Sequence, residues 1–429
     1  MLDIKFIIEN PETVKKGAKR KGSKADIDKI IALYTERNEL LQKAESLRAR
    51  QNVQSKNIQN RSVAEAPNID KNEQLLKEMT QLKKEIKTLQ PQITALETQI
   101  DELAQTVPNP PLHNTPDGGE EDFEIVNTWG KKPQFDFTPK DHIELGKTLD
   151  IIDIERGAKT SGTRFYYLKN EAVMLEFALI QHVSHKLISK GFQPIIPPVL
   201  VKEHAMFATG FFPADRNEIY QVDDMFLVGT SEVPLTMLHA DEIVDNAKLP
   251  LKYCGFSTCF RREAGSYGKD TSGILRVHQF NKLEMFIFCH PEKSQELHET
   301  IRQIEEEIMQ DLKLHYRVIN IAAGDLGAPA AKKYDIEVWI PTQDKFRELT
   351  SCSNCTDFQA RRSKIRFTGI NEKTGKEEKT YVHTLNGTAF ADTRTIIAIL
   401  ENYQNKDGTV TIPEILCPYM GGRTKIEPK

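Results

Sequence analysis

One stretch in the middle of the chain, FRREAGSYGKDTSGILRVHQFNKLEMF, concentrates side chains that could bind a charged substrate. An apolar run ends in Arg261 and Glu263, and a polar, glycine-rich stretch follows. The later alternating segment carries Arg276, Phe280 and Glu284. Because strand side chains alternate between faces, the pattern predicts two strands joined by a loop, with each group of residues on one face of its strand. At about 3.3 Å per residue, Phe280 and Glu284 lie roughly 13 Å apart, which suits a flat base at one end and a small polar group at the other.

A second polar group, Thr230-Ser231-Glu232, follows the apolar run MFLVG, which predicts a strand. Short hydroxyl and carboxylate groups at a strand end suit recognition of an ammonium group. The same triplet could instead cap a helix formed by the next segment, VPLTMLHA, because serine and threonine are favoured at that position. The residues alone leave both interpretations open.

The six cysteines of so long a chain do not predict a disulfide framework. Cys352-Ser-Asn-Cys355 has the spacing of a zinc or redox motif. Zinc needs two further ligands, and neither a second C-x-x-C nor an H-x-x-x-H appears in the sequence. A thioredoxin-like site would need a helix directly after the pair in a βαβ unit. We therefore expect ordinary structural cysteines.

These segments together resemble the signature motifs of the class II aminoacyl-tRNA synthetases. Phe-Arg-x-Glu, a loop and Arg-x-x-x-Phe resemble the second class II motif, and the wording Glu-Ala-Gly-Ser and Arg-Val-His-Gln-Phe is similar to the seryl-tRNA synthetases in particular. ELTSCSNCTDFQARR, TLNGTAFADTR and VTIPEILCPYMGG also resemble that family, and the motifs occur in the correct order. Neither class I signature appears in the sequence, nor does a P-loop.

The resemblance implies a role for each motif residue. The residues expected to bind serine are Thr230, Ser231, Glu232, Arg261, Glu284, Asn386 and Thr388. Those expected to bind ATP are Arg261, Arg262, Glu263, Arg276, Val277, Phe280, Glu348, Leu349, Thr350, Ser351 and Arg394, with Phe280 stacked on adenine. Catalysis is expected to depend on Arg261, Arg276 and Arg394. Glu348 and Ser351 would hold a Mg²⁺ bound to ATP, because this cation prefers carboxylate and hydroxyl oxygens.

The chain departs from the family pattern at two places. Leu349-Thr350 stands where isoleucine or valine and then serine are more usual. Thr393 stands where glycine or proline usually precedes the arginine of the third motif, and Asp392 is unexpected. These changes affect the expected geometry of the turn before Arg394, whose position at a predicted helix start suits an anion.

The N-terminal quarter predicts an antiparallel helical hairpin. From Leu75 to Leu103, apolar residues recur in alternating steps of four and three, which is a coiled-coil seam over about four heptads. Residues 27–61 show weaker helical periodicity, and SVAEAPNID is the predicted connection. The seam keeps its phase across Pro91, so we expect a kink there and not a stop. Thirteen basic residues against five acidic ones between Lys15 and Arg61 predict a surface for a polyanion, although a solvated helix face is the alternative.

Composition and the remaining pattern set the domain plan. With 429 residues, 39% hydrophobic and 28% charged, the chain predicts a globular protein with a large core, and it has no run of about 18 apolar residues. The start, MLDIKFIIENPE, lacks a signal-peptide core, so a cytoplasmic protein is expected. We expect a helical hairpin over 1–106, a linker over 107–140 and a catalytic domain over 141–429. Helix 172–190, followed by Gly191 and FQPIIPPVLV, resembles the first class II motif, which forms dimer interfaces.

The resemblance implies an α+β protein, with an N-terminal coiled coil and a catalytic domain built on an antiparallel sheet. It implies ATP-dependent attachment of L-serine to tRNA(Ser) through a seryl-adenylate, by a homodimer that binds tRNA across its subunits. tRNA(Sec) would be a second substrate where it exists. Two alternatives remain: an enzyme that activates an amino acid for a carrier protein, and a non-catalytic RNA-binding scaffold.

Overall fold

The computed structural model describes residues 2–64, 69–264, 272–370 and 375–428, and the side chains of these residues except 57–64 and 69–73. The chain divides into two compact units. The N-terminal unit comprises Leu2–Lys19 and Ser23–Pro108, and the C-terminal unit comprises Arg20–Gly22 and Asn109–Lys429. Among the described residues, no helix is both long and apolar enough to span a membrane.

The α-helices of the described residues are α1 Ile4–Glu9, α2 Pro11–Arg20, α3 Ile27–Ala64, α4 Ile69–Gln105, α5 His142–Thr148, α6 Ile154–Ser161, α7 Glu171–Ser189, α8 Glu203–Thr209, α9 Glu232–Met237, α10 Ser294–Asp311, α11 Phe358–Ser363 and α12 Asp392–Asn402. The strands are β1 Glu124–Trp129, β2 Ile152–Asp153, β3 Tyr167–Leu168, β4 Gln193–Ile195, β5 Leu200–Lys202, β6 Gln221–Val222, β7 Met225–Leu227, β8 Ile243–Val244, β9 Leu251–Phe260, β10 Gln279–Cys289, β11 Tyr316–Asn320, β12 Lys332–Ile340, β13 Lys345–Asn354, β14 Arg366–Ile370, β15 Glu377–Tyr381, β16 His383–Ala391, β17 Val410–Thr411 and β18 Lys425–Ile426.

The two long helices α3 and α4 form the predicted antiparallel hairpin in the N-terminal unit. Their shared core contains the seam leucines Leu82 and Leu89 of α4 packed against Leu47 of α3. Polar pairs follow the same antiparallel register: Arg37 donates to Glu97 at 2.6 Å near the base of the hairpin, and Gln54 donates to Glu78 at 2.6 Å nearer its tip. The coiled-coil prediction is therefore confirmed.

Helix α4 continues through Pro91, so the prediction that this proline does not end the helix is confirmed. Residues 65–68 of the predicted connection SVAEAPNID lie outside the described residues. Residues 371–374, in the polar stretch NEKTGKEEK, also lie outside the described residues.

An eight-stranded sheet in the order β1-β11-β12-β13-β16-β10-β9-β4 forms the centre of the C-terminal unit. Its neighbours pair antiparallel except β4 and β9, which are parallel. One large apolar core is formed by residues of α7, α10 and α12 together with the buried strand residues. The expected antiparallel catalytic sheet is confirmed.

Residues 107–140, expected to be a linker, include a strand of this sheet. Strand β1 pairs antiparallel with β11, with Trp129 opposite Tyr316. The two rings stack with their centroids 5.8 Å apart. The sequence of β1, EIVNTW, has no strict alternation of apolar and polar residues, so this strand was not predicted.

Candidate active site

The site is built on three neighbouring strands of the large sheet, β13, β16 and β10. Phe280, Lys282 and Glu284 share one face of β10, because strand side chains alternate. Two cavities meet over this region of the sheet, and Arg276, Glu348 and Arg394 line both of them. The wider cavity has a volume of about 1000 Å³. The narrower one is lined by Arg261, Glu263, Leu275, Arg276, Val277, Phe280, Lys282, Glu348, Leu349, Ser351, Thr388, Ala391, Thr393 and Arg394.

The strands around Arg261 are shorter than predicted. Strand β9 ends at Phe260, and Glu263 adopts a left-handed backbone conformation with φ 50°, so Arg261 and Glu263 do not share a strand face. Arg276 likewise precedes β10, which begins at Gln279. The two predicted strands are present, but the prediction that Arg261, Glu263 and Arg276 lie on them was wrong, because the pairing ends where Phe260 meets Gln279.

The charged side chains nevertheless converge. The guanidinium of Arg276 donates to Glu263 Oε2 at 2.6 Å. The guanidinium carbon of Arg261 lies 5.2 Å from the ring centroid of Phe280. The guanidinium lies over the face of the ring, where the cation and the ring attract each other.

A β-bulge brings Glu348 and Ser351 to one side of β13. Thr350 pairs with Ile336 of β12 and Glu348 pairs with Glu337, so Leu349 is an extra residue without a partner opposite. Residues three apart on a regular strand face opposite sides, and one extra residue restores them to the same side. Glu348 and Ser351 consequently line the same cavity.

Glu348 is held by the third-motif arginine. Arg394 lies in the first turn of α12 and its Nη1 donates to the Glu348 carboxylate at 3.0 Å and to the Glu348 carbonyl at 2.8 Å. Burial alone would raise the pKa of Glu348, but Arg394 and Lys333 outweigh burial and lower that pKa to about 2. The carboxylate is therefore ionised throughout the physiological range.

The polar residues expected to bind serine form two contacting groups. In the first, Asn386 Nδ2 donates to Glu232 Oε1 at 3.0 Å. In the second, Thr388 Oγ1 donates to Glu284 Oε2 at 3.3 Å, and Lys282 Nζ lies 2.6 Å from the same oxygen. Burial and the nearby Glu284 raise the pKa of Glu232 to about 7. A cationic group of a ligand would favour the ionised form of Glu232.

Gly387 separates the two serine-side residues of β16 and must be glycine. A Cβ at this position would lie 2.4 Å from Ile301 Cγ2 and 2.9 Å from Glu305 Oε1, both on α10. The helix therefore packs directly on the backbone of β16. This close approach positions Asn386 and Thr388 on the opposite face of the strand.

The triplet Thr230-Ser231-Glu232 lies at the start of α9. The sequence left two roles open for it, capping this helix and binding an ammonium group. Thr230 Oγ1 accepts the Glu232 backbone N–H at 3.2 Å, so the threonine supports the helix start. Ser231 Oγ lies 2.7 Å from Ser257 Oγ and is buried. Among the described residues, Glu232 is the member of the triplet whose side chain hydrogen-bonds a residue outside it that is expected to bind serine, Asn386.

Two of the residues expected to bind ATP lie outside both cavities, and a third is almost completely buried. Arg262 lies outside both cavities, and its backbone N–H donates to the Glu218 carbonyl at 2.8 Å. Thr350 is buried in the core side of β13 and also lies outside them. Leu349 lines the narrower cavity but is almost fully buried.

Several charged residues of the site were not predicted from the sequence. Lys333 and Asp335 line the wider cavity, and their side chains pair at 3.0 Å. Burial raises the pKa of Asp335 to about 7, against the opposing effect of Lys333. Lys333 and Asp335 are two residues apart in KKYDIE, so a strand there would have placed both on the same face. Lys282 could have been found from its position two residues before Glu284 on the same strand face.

The chain matches two family profiles. The profile of the seryl-tRNA synthetase N-terminal domain matches residues 1–111, and that of the tRNA synthetase class II core domain (G, H, P, S and T) matches 216–403. A serine–tRNA ligase of Clavibacter michiganensis subsp. michiganensis is 46% identical over 431 residues, covering 100% of this chain and 98% of that protein. This chain belongs to the seryl-tRNA synthetase family.

Two solved seryl-tRNA synthetases have the same fold. The Pyrococcus horikoshii enzyme complexed with ATP superimposes with a TM-score of 0.93 at 42% identity, covering 100% of both chains. The cytoplasmic serine–tRNA ligase of Naegleria fowleri in complex with AMP gives a TM-score of 0.88 at 33% identity, covering 100% of this chain and 99% of that one. The family resemblance stated from the sequence motifs is confirmed.

The cysteines of the C-x-x-C pair, Cys352 and Cys355, lie in the interior of the C-terminal unit. Cys352 and Cys355 are both buried, and burial raises the pKa of each thiol well above its ordinary value. Among the described residues, no three His, Cys, Asp or Glu side chains are placed to hold a metal ion.

Proposed function

We propose that this protein attaches serine to tRNA in an ATP-dependent reaction. The observation that carries the proposal is that Thr388, which contacts Glu284, lines the cavity of Arg261 and Phe280. The second polar group, Glu232 with Asn386, is close enough for Glu232 to interact electrostatically with Glu284 and Arg261. One group suits the ammonium of serine and the other suits its hydroxyl. The arginine-lined cavity suits a nucleotide triphosphate.

In the proposed first step, the serine carboxylate attacks the α-phosphorus of ATP and pyrophosphate leaves. Arg261 binds the carboxylate and the α-phosphate, and so stabilises the charge that develops between them. Arg276 and Arg394 bind the terminal phosphates. In the second step, a hydroxyl of the terminal adenosine of tRNA attacks the seryl-adenylate and releases AMP. No protein nucleophile is needed, because orientation and charge stabilisation supply the rate enhancement.

The proposal includes Mg²⁺ bound together with ATP. Glu348 and Ser351 would hold it, since the bulge at Leu349 turns both oxygens to one side. One carboxylate and one hydroxyl suit a cation whose remaining ligands are phosphate oxygens and water. When bound, Mg²⁺ would neutralise phosphate charge. Arg394 would then exchange part of its contact with Glu348 for the γ-phosphate.

The helical hairpin of the N-terminal unit is the proposed tRNA-binding arm. Its first helix lies in the basic region of the sequence, and cations on an exposed helix neutralise phosphates of a nucleic acid. We extend the proposal to tRNA(Sec) where the organism has it, since that tRNA also receives serine. Enzymes that activate an amino acid for a carrier protein resemble a catalytic domain without the long coiled coil, so the hairpin argues against that alternative.

The proposed assembly is a homodimer joined through α7. Met174 and Phe177 lie on one face of this helix and are 46% and 52% exposed, and Ile196 beyond β4 is 85% exposed. Exposed apolar patches of this kind mark protein interfaces. Phe177→Asp should yield monomers in analytical ultracentrifugation, whereas Lys186→Gln on the same helix should not.

ATP–pyrophosphate exchange with each of the twenty amino acids tests the proposed activity. Serine alone should support rapid exchange, and the adenylate should then charge tRNA(Ser). The absence of serine-dependent exchange would favour the scaffold alternative. Exchange without transfer to tRNA would favour the carrier-protein alternative.

Binding of tRNA across the dimer can be tested by mixing two inactive variants. One lacks residues 27–105, and the other carries Arg261→Ala. If the hairpin of one subunit presents tRNA to the other, mixed dimers should recover charging, because each supplies the part that the other lacks. If tRNA stays on one subunit, the mixture should remain inactive.

The compartment proposed for this activity is the cytoplasm. All six cysteines are free. Five of them are buried, and Cys417 is partly accessible. Free thiols suit a reducing compartment.

A further inference from the structure

Gln359, on helix α11, connects three separate parts of the C-terminal unit. Its side chain is fully buried. Nε2 donates to Glu232 Oε1 at 2.7 Å and to the Thr209 carbonyl at 3.2 Å. Oε1 accepts from Thr384 Oγ1 at 2.7 Å. The amide therefore joins the end of α8, the start of α9 and strand β16.

The orientation of this amide follows from its partners. A backbone carbonyl can only accept, so the atom of Gln359 that faces Thr209 must be the nitrogen. The oxygen then faces Thr384, whose hydroxyl can donate. A buried amide with each contact satisfied is held in one rotamer, because rotation would leave buried polar atoms unpaired.

Gln359 and Asn386 donate to the same oxygen of Glu232. Both contacts reach Oε1, at 2.7 Å and 3.0 Å. Among the described residues, neither amide contacts the other oxygen, Oε2. The two amides thus fix the carboxylate plane from one side and leave Oε2 as the oxygen that an incoming ammonium group can meet.

We propose that Gln359 is a positioning residue for serine recognition, which holds Glu232 so that Oε2 faces the substrate ammonium. This inference rests on the proposed function. Gln359 acts through Glu232 and does not touch substrate. Neither its contacts nor its role could be inferred from the surrounding DFQARR sequence, because Glu232 and Thr384 lie far away along the chain.

The charge environment of Glu232 makes this role measurable by pH. Burial and the nearby Glu284 raise the pKa of Glu232 to about 7, whereas the hydrogen bond from Gln359 lowers it, with smaller effects from Lys282 and Arg261. Cys355 also lies close enough to interact electrostatically. Loss of the Gln359 donor should therefore raise the pKa of Glu232 further and leave more of it neutral at neutral pH.

The decisive experiment compares the native protein with Gln359→Met, which keeps the side-chain length but removes both donors. The KM values for serine and ATP are measured by ATP–pyrophosphate exchange across about pH 6 to about pH 8.5. Gln359→Glu, which places a second carboxyl beside Glu232, provides a second variant. Ser363→Ala is the matched control, since this buried hydroxyl donates to the Gln359 backbone carbonyl and not to its side chain.

We expect the KM for serine to rise about tenfold or more in Gln359→Met near neutral pH, while the KM for ATP stays within about twofold. The apparent pKa of kcat/KM for serine should shift upward, more so in Gln359→Glu, so both variants should recover partly as the pH rises. Ser363→Ala should keep the native profile.

An unchanged serine KM and pH profile would overturn the inference. So would equal losses for serine and ATP at every pH, because they would indicate a structural role only. If the native protein shows no serine-dependent exchange, the proposed function itself fails, and that result is distinguishable from both.

Discussion

Arg394 Nη1 contacts Glu348 twice, at 3.0 Å to the carboxylate and 2.8 Å to the backbone carbonyl. The arginine lies in the first turn of α12, and the glutamate lies just before the bulge of β13. Without nucleotide, the arginine expected to bind phosphate is therefore neutralised by the carboxylate expected to bind Mg²⁺. When both ligands bind, Arg394 would contact the nucleotide and Glu348 would contact the cation.

Glu348→Gln should weaken Mg·ATP binding, with the KM for ATP rising roughly tenfold or more, since a charge-assisted contact is lost. Because the pKa of Glu348 is lowered to about 2, this group is ionised at neutral pH and should contribute no step to the pH profile of the native enzyme near neutrality. Exchange assays at varied Mg²⁺ and pH measure both effects. Glu377→Gln, on exposed strand β15, is the control and should behave as native.

Arg261→Ala should abolish serine-dependent exchange while the protein remains folded. Removing a preorganised cation from the α-phosphate should cost on the order of 3 kcal/mol of transition-state stabilisation, roughly a hundredfold or more in rate. Exchange kinetics and circular dichroism of the purified variant provide the measurements. Near-native exchange would refute the assigned role of Arg261.

The protein should discriminate strongly between serine and alanine. A site that hydrogen-bonds a hydroxyl rejects an analogue without it, because alanine offers no partner to the polar atoms of Glu284 and Thr388 that would meet the serine hydroxyl. Thr388→Val should reduce this discrimination, and Thr300→Val on α10 should not. If alanine supports exchange within about tenfold of serine, the pocket assignment is wrong.

Removal of residues 27–105 should separate the two half-reactions. Every residue proposed to contact serine or ATP lies at or after Thr230, so adenylate formation should persist within a few-fold. Charging of tRNA should collapse, and tRNA binding by the intact protein should weaken steeply with added salt as counterions return to the phosphates. A truncated protein that charges tRNA(Ser) at the full-length rate would show that the hairpin is not the tRNA-binding arm.

Asp392→Asn should stabilise the protein, and more so at higher pH. Burial and the nearby Glu176 raise the pKa of Asp392 to about 8, far above its ordinary value of 3.8. Between these two values the unfolded chain loses a proton that the folded protein retains, so this group destabilises the fold increasingly as the pH rises. In the native protein, Asp392 Oδ1 accepts a hydrogen bond from the Thr393 backbone N–H at 2.6 Å. The asparagine of the variant keeps a side-chain oxygen that can accept this bond. Melting temperatures from about pH 5 to about pH 8 should show a gain of several degrees that grows with pH. A gain that is independent of pH would contradict this origin.

Local patterns in the amino-acid sequence were enough to predict the family, the antiparallel catalytic sheet and the coiled coil. Heptad spacing survives Pro91 because the seam depends on local periodicity, and α4 continues through that proline. Phe280 and Glu284 were predicted on one face because alternation along a strand is also local. The roles of the motif residues remain predictions that rest on the family resemblance.

Tertiary structure decided what depends on pairing between distant segments. Glu348 and Ser351 share a side only because β13 carries an extra residue opposite β12, and a bulge is not visible in a single strand's sequence. Strand β9 ends at Phe260 because its pairing with β10 ends there, although the charged pattern continues. Gln359 meets Glu232 across 127 residues of chain. Contacts of this kind arise when folding brings separate elements together, and no local periodicity encodes them.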